Sequence, residues 1–198
     1  AIQDQAVEPF PLIETGEQVV APPDGTHLFY TKYINADGVV IVSSDAVPDA
    51  ALIGAYRTIL HLTSHRPDVL EAMLQHKPRI SIMGLSETAS DLPEFGSSSD
   101  GQWGLGQMPD SSTSLVSVRG VCYPGNGEYR ANFLLHEFVH AMQNLGWPTT
   151  DPQIEDEVWG AYVNAVKQGY FKAPSNEPLE GITPFDAFGD DEYLTHNV

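Results

Sequence analysis

Leu134-Leu135-His136-Glu137-Phe138-Val139-His140-Ala141-Met142 is the stretch on which the reading of this chain turns. Its two histidines stand four residues apart, and on a helix that spacing brings both imidazoles to one face, within reach of a single ion. Glu137 follows His136 by one residue, about 100° further round the helix. There it can touch a water held beside the histidines but is badly placed to be a main ligand. Leu134, Leu135, Phe138, Val139, Ala141 and Met142 surround these groups with uncharged side chains, so the helix is predicted to be buried. Polar groups on a buried helix need partners that offset their desolvation. A divalent cation meets that need; a pair of satisfied core histidines beside a surface glutamate is the weaker account.

His136, Glu137 and His140 form an HExxH arrangement, for which the ligand type favours a zinc ion, Zn2+. Zinc with three protein ligands keeps a fourth position for water and lowers that water's pKa to about 7. Glu137 is then the expected general base, accepting the water's proton and delivering it to a leaving amine. The third ligand is open at this point. The HExxHxxGxxH continuation is excluded, because Gln143 and Gly146 stand where its glycine and third histidine would be. A later glutamate could serve, either Glu157 or Glu192, and Asp151 or Asp156 would give an aspartate-type site. Glu155, Asp156 and Glu157 are equally well explained as first-turn acids that favour a helix dipole.

Outward from the motif, the spacing predicts a helix over about 128–145, closed by Gly146 and Pro148. A second helix is expected to open at Asp151-Pro152 as N-cap and N1. It buries Ile154, Val158, Ala161, Tyr162 and Ala165 and stops at Gly169. Upstream, strands are expected at 28–34, 39–43, 79–83 and 113–118, with Asn35-Ala36-Asp37-Gly38 turning the first into the second. Helices follow Pro48 and Pro67, the first burying Leu52, Ala55, Ile59 and Leu62. The stretch 87–112 reads as a long loop, in which Trp103-Gly104-Leu105-Gly106 could line a cleft as an edge for an added strand. His61 and His65 are also four apart but have no acid between them, and a helix C-terminal cap suits them better.

With 27 acidic and 9 basic residues the net charge is −18, which excludes nucleic acid and anionic lipid as natural partners and leans weakly toward basic substrates. No apolar run approaches the length of a membrane span. Cys122 is the single cysteine, so an intramolecular disulfide and a thiolate zinc cluster are both excluded. The start, Ala1-Ile2-Gln3-Asp4-Gln5, has neither a basic region nor an apolar run, as in a processed exported chain or a cytosolic one.

Beyond the zinc motif, Val47-Pro48-Asp49-Ala50-Ala51-Leu52, Arg66-Pro67-Asp68, Asp91-Leu92-Pro93-Glu94-Phe95, Gly104-Leu105-Gly106 and Cys122-Tyr123-Pro124-Gly125 carry a further likeness. From about Val39 onward the chain resembles a family of secreted HExxH zinc metallopeptidase-like proteins of fungi, bacteria and invertebrates. That family is of the gluzincin type and distantly similar to the anthrax lethal factor catalytic domain and the clostridial Pro-Pro endopeptidases. The resemblance implies secretion, and it favours Glu192, in Asp191-Glu192-Tyr193-Leu194-Thr195-His196-Asn197-Val198, as third ligand over Glu157. The chain also departs from the pattern. Where those relatives place an oxyanion-stabilising tyrosine, seven residues before the ligand glutamate, this sequence has Phe185. Loss of one oxyanion donor can lower the rate by roughly 10²–10³; Tyr193, Tyr123 and Tyr170 are the candidate substitutes.

The expectation is an α+β, zincin-like metallopeptidase domain over 27–198, with a small mixed sheet, two lobes around a cleft and an extended arm at 1–26. His136, His140 and Glu192 would hold zinc, and Glu137 would act on the water. The expected activity is hydrolysis of peptide bonds in peptides or proteins by a secreted monomer that uses neither nucleic acid nor membrane. The alternative is a catalytically impaired metal-binding or interaction protein that retains the site, as Phe185 hints.

Overall fold

The computed structural model describes residues 12–96, 104–107, 113–122 and 132–169. Strand β1, Lys32–Ala36, turns through Asp37 and Gly38, both at positive φ, into β2, Val39–Ser43, and the two pair antiparallel from Lys32↔Ser43 to Ala36↔Val39. The hairpin is as expected, but its first strand begins at Lys32 rather than Leu28, which is 94% exposed. Helices α1, Asp49–Thr63, and α2, Pro67–Leu74, then lead to β3, Arg79–Met83, which lies parallel to β2.

Two short strands complete the sheet. β5, Ser114–Ser117, runs parallel to β3, and β4, Gly104–Leu105, pairs antiparallel with β5 at the far edge. The order is β1-β2-β3-β5-β4. The stretch 87–112 is therefore not wholly loop: it contains β4 and a 3-10 turn at Ala89–Asp91. Two residues of which one is glycine carry almost no strand signal of their own, and pairing with β5 supplies what local preference lacks.

Helix α3, Val118–Cys122, follows β5 directly and was not anticipated. Helix α4, Phe133–Ala141, carries the histidine motif. Its start is a correction. Asn132 has an extended backbone and its Oδ1 accepts from the Leu135 N–H at 3.2 Å, so it caps the helix that had been expected to run through it from Glu128. The expected closure at Gly146 and Pro148 also fails. A π-helical turn, Met142–Gly146, passes straight into α5, Trp147–Thr150, where Pro148 sits in the first turn and no intrahelical N–H is required of it. Helix α6, Ile154–Lys167, begins after Gln153 rather than at Asp151-Pro152, because the Asp151 N–H still closes α5 by donating to Trp147 O at 2.8 Å. Its stripe buries Tyr162 and Ala165, leaves Ala161 exposed, and ends at Gly169 with φ +76°.

Strand alternation divides the sheet into two faces. Ile34, Ile41, Ile80, Ile82 and Val116 point to the helices and join Leu52, Ile59, Val69, Met73, Leu134 and Phe138 in the main core. On the other face a buried polar network runs beneath the middle strands. Arg79 and Glu94 form an ion pair at 2.7 Å with side chains only 5% and 3% exposed, and the Tyr30 hydroxyl meets both Glu94 and Ser81 Oγ. Burial, reinforced by the Glu94 charge, pushes the Tyr30 phenol above its ordinary range. The expected arm packs in part: Val20 bridges Tyr33, and Asn35 Nδ2 donates to Ile13 O.

Two measurements test this core. Glu94→Ala strands a buried guanidinium and is expected to cost about 3–5 kcal/mol in urea unfolding, whereas Glu17→Ala, which breaks the exposed pair with Arg57, costs at most about 1 kcal/mol. Tyr30 holds its proton to higher pH folded than unfolded, so stability is intact below the ordinary value of 10.0 and falls as pH rises through it. Tyr30→Phe should remove Tyr30's share of that alkaline slope and leave the share of Tyr33, whose phenol burial also raises.

Candidate metal centre

Helix α4 has two kinds of surface because its sequence does. Leu134, Phe138, Ala141 and, beyond them, Leu145 recur at helical spacing and fill the core against the sheet and α1. His136, Glu137 and His140 lie on an adjoining stripe that turns toward the β4 edge. The ring nitrogens His136 Nε2 and His140 Nε2 are 3.2 Å apart, with ring centroids at 4.8 Å and planes at 81°. All three residues offer ligand atoms within 4.8 Å of one another. Glu137 is buried, at 6% exposure.

That ring separation is a test of fit. Two imidazole nitrogens bound 2.0–2.1 Å from one tetrahedral zinc ion lie about 3.3 Å from each other. The rings therefore already stand at the spacing a shared ion demands. The same distance suits a hydrogen bond between neutral rings, in which one Nε2–H donates to the other. The two imidazole donors suit zinc or a similar transition ion rather than calcium or magnesium.

Strand β4 closes over this stripe. A side chain at Gly104 would collide with the Glu137 carboxyl group, and one at Gly106 would collide with His140. Gln107, buried just beyond, holds the strand in place. Its Oε1 accepts from the Arg79 N–H at 3.0 Å, its N–H donates to Ser114 Oγ at 3.0 Å, and its carbonyl accepts from Asn144 Nδ2 at 3.3 Å. Gln107 thus ties the edge strand to β3, to β5 and to the π-turn after the motif helix. Sequence reasoning passed over it, and the only available signal was a glutamine directly following Gly104-Leu105-Gly106 in a polar loop. The π-turn itself, a form that recurs at functional sites, sets Asn144 for this bond.

Other expected site residues fall elsewhere. Among the described residues, Glu157, Asp151 and Asp156 are not members of the histidine–glutamate group. Glu155, Asp156 and Glu157 occupy the first turn of α6, where acids suit the helix dipole. His61 and His65 are exposed at the end of α1. Glu192, Phe185, Tyr193, Tyr123, Tyr170 and Trp103 lie outside the described residues.

Zinc added in excess should raise the thermal unfolding midpoint of the purified chain, because an ion held by the folded form alone stabilises it by about 2.7 kcal/mol at 100 times its Kd. His136→Ala and His140→Ala should abolish the rise, as read by differential scanning fluorimetry with and without zinc.

No family model matches the chain, and neither the curated proteins nor the solved structures yield a significant match. The assignment that stands is thus the one the geometry carries: a mixed α+β fold whose helix bears a His-Glu-x-x-His cluster compatible with metal coordination, as in zincin-type metallopeptidases.

Proposed function

We propose that this chain is a secreted zinc metallopeptidase of the gluzincin type. The observation that carries the reading is the pair of Nε2 atoms 3.2 Å apart with the Glu137 carboxylate beside them under the sheet edge. His136 and His140 would supply two ligands. Glu192 is proposed as the third, supported by the likeness of its segment to a gluzincin ligand motif and by the fact that, among the described residues, Glu157 is not a member of the group. A bound zinc ion would polarise the scissile carbonyl and acidify the attacking water.

The protein's own residues do the rest. Glu137 accepts the water's proton on a carboxylate oxygen and later delivers it to the leaving amine nitrogen, so its charge is restored at the end of the cycle. Its burial excludes bulk water from that transfer. Among the described residues β4 is the outermost strand of the sheet, where an extended peptide would add to it and lie across the histidines. The net charge of −18 supports a lean toward basic peptides. Among the described residues no helix is long and apolar enough to cross a membrane.

The second reading, a metal-binding protein with impaired turnover, is favoured by one feature: Phe185 has no hydroxyl to offer an oxyanion. One assay separates the two. Casein and a peptide library are incubated with the protein, with protein plus chelator, and with Glu137→Ala. A peptidase cleaves only in the first, and Glu137→Ala retains zinc while losing at least about 10²-fold in kcat. Stoichiometric zinc by elemental analysis without cleavage of any peptide selects the impaired protein. In the same preparations Glu192→Ala is expected to lose zinc and Glu157→Ala to keep it.

A further inference from the structure

Two glycines, Gly104 in the edge strand and Gly106 directly after it, bear on the motif helix in different ways. A side chain at either would be directed at that helix. Gly104 pairs with Val116, a member of the helix-side core, whereas Leu105 pairs with Leu115 and packs on the opposite face. Neither glycine sits in the left-handed region, so alanine suits both backbones and its effect there is steric alone. A methyl group at Gly104 would run into Glu137 Oε1 and stand 2.7 Å from its Cδ and Cγ. At Gly106 it would stand 2.5 Å from His140 Cβ, 3.3 Å from His140 Cγ and 3.5 Å from the Glu137 carbonyl oxygen.

The difference lies in what is met. At Gly104 the obstacle is the outer half of a side chain, which can swing while the backbone stays. At Gly106 it is a Cβ, fixed to the helix, which moves only if strand and helix separate. We infer that Gly104 and Gly106 are positioning residues with separate tasks: Gly104 seats the Glu137 carboxylate, and Gly106 sets the strand-to-helix distance that aims the His140 ring. This deepens the zinc peptidase reading and rests on it for the roles of Glu137 and His140. The contacts themselves do not depend on it.

The test uses the full chain with each glycine changed to alanine. Zinc affinity is measured by competition with a chromophoric chelator. Gly106→Ala should weaken zinc binding by about 10-fold or more, the scale on which supports of metal ligands act, while Gly104→Ala stays within about threefold of the parent. Gly104→Ala should lower kcat by at least about 10-fold with KM held, since the methyl group faces the motif helix, where it displaces the Glu137 carboxylate, and leaves unchanged the backbone groups through which β4 would pair with a peptide. Glu137→Ala should then separate a seating defect from general damage. In that background, where the displaced carboxylate is gone, adding Gly104→Ala should change the residual kcat by less than about twofold. Equal zinc loss in both glycine variants, or a further fall in kcat of about 10-fold on adding Gly104→Ala to Glu137→Ala, would overturn the inference. If the parent cleaves no peptide, the peptidase reading fails while the zinc comparison still decides this one. If Gly106→Ala does not fold, zinc retention by Gly104→Ala supports the assignment and its loss refutes it.

Discussion

A single helix has to be both the floor of the core and the wall of the polar site, and the rest of the structure follows from that double duty. Leu134, Phe138, Ala141 and Leu145 press into the sheet and its companion helices, which fixes the rotation of α4 about its own axis. Once that rotation is set, His136, Glu137 and His140 have one direction left, toward the edge at β4. Burying a carboxylate and two imidazoles there is unfavourable unless they meet each other or an ion. The 3.2 Å approach of the two rings is the form in which the structure meets that demand.

The edge strand is held by groups from the opposite side of the sheet. Gln107 receives the Arg79 N–H, and the Arg79 side chain is locked to Glu94, which in turn takes the Tyr30 hydroxyl. Thr113 Oγ1 meets both Ser81 Oγ and the Arg79 carbonyl, so the network has few loose ends. A buried ion pair contributes little net stability compared with an apolar packing, but it tolerates only one arrangement of its partners. Here that arrangement governs where β4 ends. The backbone of Gly104 and Gly106 can then approach the motif helix closely, because neither residue presents a side chain to it.

The site was legible in the sequence to the extent that it is local. His136, Glu137 and His140 are brought together by helical periodicity alone, and a four-residue spacing leaves few other outcomes. The α1, α2 and β3 segments were equally plain, since each has a periodic apolar pattern bounded by proline or polar turns. Boundaries near the motif were less so. Asn132 as a cap, the passage through Gly146 and the late start of α6 depend on which backbone groups find partners, and neighbouring segments supply those partners.

The sequence by itself determined that a helix would carry two imidazoles and a carboxylate on one buried stripe, because a repeat of 3.6 residues per turn needs no information from elsewhere in the chain. It also determined a hairpin at Asp37-Gly38 and two helices ahead of the next strand, whereas the parallel pairing of that strand with β2 came from the tertiary structure. The tertiary structure alone decided that Gly104 and Leu105 form a strand, that Gln107 ties it down, and that the gap above Glu137 and His140 is one glycine wide. The last of these joins residues more than thirty positions apart in sequence, from Glu137 and His140 back to Gly104 and Gly106. A distance of that kind is set by the packing of whole elements, which no local pattern encodes.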